Sequence, residues 1–114
     1  MDHPHDGTLL LALTTAPDEE TADRMARTLV EERLIACANL ASGVSSIFRW
    51  EGRVSAEREV LMVLKTRREC VARLERRLPQ LHPYEVPELI FLPVTAALEA
   101  YRDWVVSETT VKEP

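Results

Sequence analysis

The stretch ACANLASGVSSIFRWEGRVSAEREVLMVLKT, residues 36–66, sets the architecture of this chain. Its first part, 36–50, opens on small residues and becomes β-branched and aromatic toward Trp50. Its last part, REVLMVLKT (58–66), is a strongly apolar strand. Between them WEGR (50–53) reads as a turn around Glu51-Gly52, so the two halves make a hairpin with long arms. Gly43, in the middle of the first arm, suggests a bulge or bend. An arm of about 15 residues is far longer than the ~5–6 of an ordinary strand.

Upstream, TLLLALTT (8–15) is an apolar run of strand length, suited to a central strand. The segment that follows changes period. Ala22, Met25, Ala26, Leu29 and Val30 recur at three and four residues, one face of a helix. Asp18 can cap its start, and Glu19 and Glu20 put negative charge at the positive end of the helix dipole. Downstream, TRRE (66–69) has the form of a capping box, with Thr66 and Glu69 reciprocal. Cys70, Val71, Leu74 and Leu78 form the stripe of the helix behind it, and Pro79 predicts a stop near Leu78. The run LHPYEVPELIFLPV (81–94) holds three of the chain's seven prolines. Pro83 and Pro87 disfavour helix at residues 82 and 86 and switch the chain to extended geometry, leading into the strand ELIFLPV. A last helix is expected from about Thr95, with Leu98, Tyr101, Trp104 and Val105 on one side. The expected domain is 8–107, with a flexible leader 1–7 and a frayed tail 108–114.

The order β-α-β-β-α-β plus a terminal helix predicts an α+β, ferredoxin-like split βαβ fold, an antiparallel sheet with helices on one face. The first and third strands are then central, and they are the most continuously apolar runs. The second and fourth lie at the edges, where an uncovered strand invites pairing with another chain. One small sheet cannot cover so long an arm, so the hairpin is expected to overhang its own domain and join a neighbour's sheet. A ring of three is the simplest closure.

Composition narrows the function classes. With 46% hydrophobic and 29% charged residues, the chain is globular and not disordered. Its net charge of -5 argues against a nucleic-acid partner. The arginines at 67, 68, 73, 76 and 77 mark either a phosphate partner or a solvated helix face. Two cysteines make no disulfide framework, and no apolar run reaches the ~18 residues of a membrane span. A cytoplasmic protein without a membrane partner is the expectation.

TTAPDEETA, LIACANL, SIFRWEG, EVLMVLKT, HPYEVPELIFLPV and YRDW, in this order and spacing, resemble the CutA family of divalent-cation tolerance proteins over about residues 8–107. The resemblance implies a tight homotrimer, an architecture like the PII signalling proteins, and a role in the response to copper and other divalent metal ions. The copper positions of the family's bacterial members fall here on Thr14, Leu81 and His82, so only His82 matches. A hydroxyl and an aliphatic side chain are poor substitutes for a thiolate and an imidazole on copper.

His82 is therefore either a metal ligand or a hydrogen-bonding residue at the helix-to-strand junction. Cys37 matches a family cysteine and reads as either a ligand or a core thiol. His3, in Met-Asp-His, can join the amino group and two amides in a square-planar copper site, or belong to a loose leader. The resemblance places Trp50, Glu59, Lys65, Tyr84 and Glu88 around an inter-subunit cleft. There Lys65 with Glu59 or Glu88 would form an ion pair that fixes trimer register, or the cleft would take a small effector or protein partner, as in a PII-like signalling module. No nucleophile–base pair, hydrolase spacing or cofactor fingerprint is present, so no enzymatic activity is expected, and copper or another divalent ion is the one cofactor class considered.

Overall fold

The computed structural model describes residues 8–111. The leader with His3, and residues 112–114, lie outside the described residues. The elements are β1 (Leu9–Ala16), α1 (Glu19–Glu31), β2 (Cys37–Trp50), β3 (Arg53–Arg67), a 3-10 turn (Arg68–Cys70), α2 (Val71–Leu81), β4 (Ile90–Pro93) and α3 (Glu99–Glu108). The strands form one antiparallel sheet in the order β2-β3-β1-β4. This is the ferredoxin-like order, with β1 and β3 central as expected.

Alternation along the central strands divides the sheet into two faces. Ala12 and Ala16 of β1 and Val60, Met62 and Leu64 of β3 pack against Ala22, Met25 and Leu29 of α1 and Leu74 and Leu78 of α2. The Asp18 carboxylate accepts from the Thr21 N–H at 2.8 Å and starts α1. The helix ends in a Schellman closure: Leu34 N–H donates to the Leu29 carbonyl and Arg33 N–H to that of Val30. Arg33 takes the left-handed φ of 61° that this closure requires.

The hairpin turns at Glu51 and Gly52, both with positive φ, as a two-residue primed turn needs. Ala41 lies opposite Leu61 and Val44 opposite Glu59, so Ser42 and Gly43 together face Val60. This is the bulge, with Gly43 at φ 74°. β1 accompanies β3 only as far as Val60. Beyond it, residues 44–50 and 53–59 form a two-stranded arm of about 20 Å. The Cα radius of gyration, 15.1 Å, exceeds the ~13 Å of a compact chain this long, as the overhang demands.

Four local expectations change. Thr66 does not cap α2; it lies within β3, and its hydroxyl donates to the Leu34 carbonyl at 2.7 Å while Glu69 pairs with Arg67. Tertiary partners outcompete the local capping pattern. Pro79 does not stop α2 at Leu78. It sits in the last turn, where its missing N–H deprives only the exposed Glu75 of a partner, and His82 N–H closes the helix on the Leu78 carbonyl. The last helix starts at Glu99, and of its expected apolar side only Val105 is buried, against Leu9 and Ala36. The chain after residue 107 is not frayed at its start: Thr109 is fully buried and accepts from Arg67 at both its hydroxyl (2.8 Å) and its carbonyl (3.1 Å).

Candidate functional site: the open sheet face and the root of the arm

The sheet face turned away from α1 and α2 carries Leu11 and Leu13 of β1 and Leu61 and Val63 of β3. Ile90 and Leu92 of β4 stand opposite Leu13 and Leu11. α3 covers only the end near Leu9 and Ala36. The four residues on β1 and β3 are half-buried, and Ile90 and Leu92 are 50% and 41% exposed. The bulge re-phases β2 so that Val44, Ser46, Phe48 and Trp50 continue this face along the arm. Ile47 and Val54, 74% and 67% exposed, lie on the arm's other side.

At the root of the arm Glu59 is 8% exposed, and the Tyr84 hydroxyl donates to its Oε2 at 2.6 Å. Burial first, then the hydrogen bond and charge of Glu59, push the Tyr84 hydroxyl well above the usual tyrosine range. Tyr84 is held there by His82. The Tyr84 N–H donates to His82 Nδ1 at 3.1 Å, so Nε2 carries the proton and donates to the Thr15 carbonyl at 2.6 Å. The rings of His82 and Tyr84 lie 4.7 Å apart. The proline-rich stretch thus ties the end of α2 to β1 and delivers a tyrosine to a buried carboxylate.

At the other end of the same face, Lys65 donates to Asn39 Oδ1 and lies 3.7 Å from Cys37 Sγ. The Tyr101 hydroxyl is raised by burial and then by the neighbouring Cys37. Cys37 is therefore no core thiol; it faces α3 and is half-buried. Lys65 and Glu59 stand six residues apart on one strand, about 20 Å, so they make no ion pair within the chain. Trp50, 51% exposed at the arm tip, is ~40 Å along β3 from Lys65, and Glu88 is exposed. The structure brings together Glu59 and Tyr84, and separately Cys37 and Lys65; it does not join the two pairs, nor bring Trp50 to either. Asn39 and Tyr101 are contributors that the sequence reading missed.

The donor set does not fit copper. Both nitrogens of His82 are engaged, Thr14 is fully buried in the sheet's helix-facing side, and Leu81 packs against the core. Among the described residues no three His, Cys, Asp or Glu side chains are grouped to hold a metal ion. No helix among them is long and apolar enough to cross a membrane.

Known proteins share this fold. The sequence profile of a family described as CutA1 divalent ion tolerance protein matches residues 10–108. The divalent-cation tolerance protein CutA of Thermus thermophilus is 42% identical over 87% of this chain and 96% of its own. That of Pyrococcus horikoshii is 41% identical over 89% and 98%. The solved structure of the Thermus thermophilus protein covers 90% of this chain and 99% of its own, at a TM-score of 0.87. That of CutA from Xylella fastidiosa covers the same shares at 35% identity and a TM-score of 0.88. With the motifs, the strand order and the matched length in agreement, this chain belongs to the CutA1 divalent ion tolerance family.

Proposed function

We propose that the chain works as a homotrimeric, cytoplasmic divalent-cation tolerance protein without catalytic activity. One observation carries the assembly: an apolar sheet face, from Leu92 and Ile90 across Leu11 and Leu13 to Leu61 and Val63, is left half-open and runs on past Glu59 to an arm with apolar side chains on both sides. A two-stranded ribbon is marginal alone in water, and an uncovered face of this length marks an interface. Sister copies supply the cover, and in that assembly Trp50 of one copy can reach the Lys65 or Tyr84 region of another. Binding of copper-class ions is weak in this reading, because Thr14, Leu81 and a doubly engaged His82 supply no soft ligand set.

Sedimentation equilibrium at micromolar concentration tests the assembly: three times the 13.0 kDa chain mass is expected, and a well-folded single chain would refute it. Val63→Glu, which places a charge in the covered face, is expected to dissociate it. Calorimetric titration with Cu(II) on the chain lacking residues 1–6, which removes the amino-terminal His3 motif, and on the same chain with His82→Ala should give equal, weak binding. Tight binding abolished by His82→Ala would overturn the metal part of the reading.

A further inference from the structure

On the opposite side of the molecule, a groove of 370 Å³ runs between the end of α1 and α2, lined by Glu32, Leu34, Arg73, Arg76, Arg77 and Gln80. The volume falls in the ~300–1,000 Å³ range of small-ligand sites. The positions 73, 76, 77 and 80 follow helical spacing, so α2 presents them as one stripe. Glu75 lies roughly 200° round the helix from Arg73 and points elsewhere. The buried Arg67, bound to Thr109, takes no part, and Arg68, in the 3-10 turn, does not line the groove, which reduces the five-arginine run to a geometric set of three.

The charges in the groove do not cancel. Glu32 is its one carboxylate, and both of its oxygens accept from Arg77, at 2.9 and 2.8 Å. Gln80 Oε1 also accepts from Arg77 at 3.0 Å, which leaves the Gln80 amide N–H groups free to donate into the groove. Arg73 has only the Cys70 sulfur, at 3.6 Å, and among the described residues neither Arg73 nor Arg76 meets a carboxylate. Two guanidiniums one turn apart, about 5–6 Å at Cβ, therefore stand unneutralised beside an amide donor on a chain of net charge -5. The Schellman closure fixes Leu34 as the apolar floor beneath them.

We propose that this groove is a binding site for an oligophosphate. A guanidinium fork takes a phosphoryl group through two parallel hydrogen bonds, and two forks at this separation match neighbouring phosphoryl groups better than one. Arg77, pinned by Glu32, holds the shape of the groove and adds field. No aromatic side chain lines it, so a nucleotide is bound by its phosphate chain and its base is not read. The acidic net charge supplies no general attraction for polyanions, so binding depends on these side chains.

Calorimetric titration of the full chain in EDTA tests this, with tripolyphosphate, pyrophosphate, orthophosphate and ATP as probes. Tripolyphosphate and ATP are expected to bind within ~3-fold of each other and at least ~10-fold more tightly than orthophosphate. Arg73→Gln with Arg76→Gln should weaken tripolyphosphate at least ~10-fold, whereas Arg49→Gln with Arg53→Gln, the same loss of charge at the arm tip, should change it less than ~2-fold. Unchanged melting of each variant confirms that folding is not at issue. No heat with tripolyphosphate, equal losses in the two double variants, or ATP binding far more tightly than tripolyphosphate would overturn the proposal.

Discussion

Tyr84→Phe removes one oxygen and strands a buried carboxylate. The Tyr84 hydroxyl is the donor to Glu59 Oε2 at 2.6 Å, and Glu59 is only 8% exposed, so water replaces the lost donor poorly. A hydrogen bond to an ionised group contributes ~1.5–3 kcal/mol, and a carboxylate left unsatisfied costs at the upper part of that range. A loss of about 2 kcal/mol is expected. For a domain of this length 1 kcal/mol is roughly 4 °C, so Tm should fall by about 8 °C. Glu59→Met alone should cost less, because Tyr84 is only partly buried and water can satisfy its hydroxyl. The double variant, Tyr84→Phe with Glu59→Met, removes both polar partners and should recover most of the loss. Scanning calorimetry of the four proteins completes the cycle. A Tm change below about 2 °C for Tyr84→Phe, or strict additivity in the double variant, would refute the assignment of Tyr84 as the carboxylate's essential donor.

Three further outcomes follow from the same geometry. Leu74→Ala, at a fully buried core position, should cost ~2–5 kcal/mol by chemical denaturation with an unchanged m-value. Tyr84 and Tyr101 are the chain's two tyrosines, and both are raised above the ordinary 10.0. The native protein should therefore show much less phenolate absorbance at pH 10 than the chain in guanidinium, and its stability should fall as pH rises past 10, because the unfolded state then releases protons that the folded state retains. Asp18 is lowered below 3.8 by the Thr21 N–H it accepts from; its capping contribution should persist above that pH and vanish as pH falls through the lowered value, a dependence that Asp18→Ala lacks.

The fold was legible because local signals agreed with one another. The period of α1, its Asp18 cap, the Glu51-Gly52 turn and the glycine in the first arm all point to one hairpin topology, and the structure has it. The failures have a common cause in contacts distant in sequence. Thr66 resembles a cap but bonds Leu34, and the residues after 107 resemble a tail but Thr109 receives Arg67. Neither partner can be read from a window of neighbouring residues. Pairing offers one signal that was available. Counting back from the Trp50–Arg53 pair sets Cys37 opposite Thr66, and allowing for the one-residue bulge at Gly43 sets it opposite Lys65, where it is found. The sites proposed from resemblance fared less evenly. Glu59 and Tyr84 meet, whereas Trp50, at the tip of β2, and Lys65, near the other end of β3, lie far apart along the hairpin and can share a cleft only between copies.

Gly43 carries a consequence for how this family member can vary. Because one extra residue there exchanges which side chains of β2 look inward and outward, the arm's two surfaces are defined by a parity rule. Losing a single residue at 42 or 43 would turn the bulge into a regular pair and leave Phe48 beside Ser55 and Trp50 beside Arg53, on the side they hold now, because directly paired residues share a face. The base of the arm can thus absorb the loss of one residue, whereas a one-residue change between 44 and 50, where the ladder is regular, would slip the pairing and exchange the arm's two surfaces.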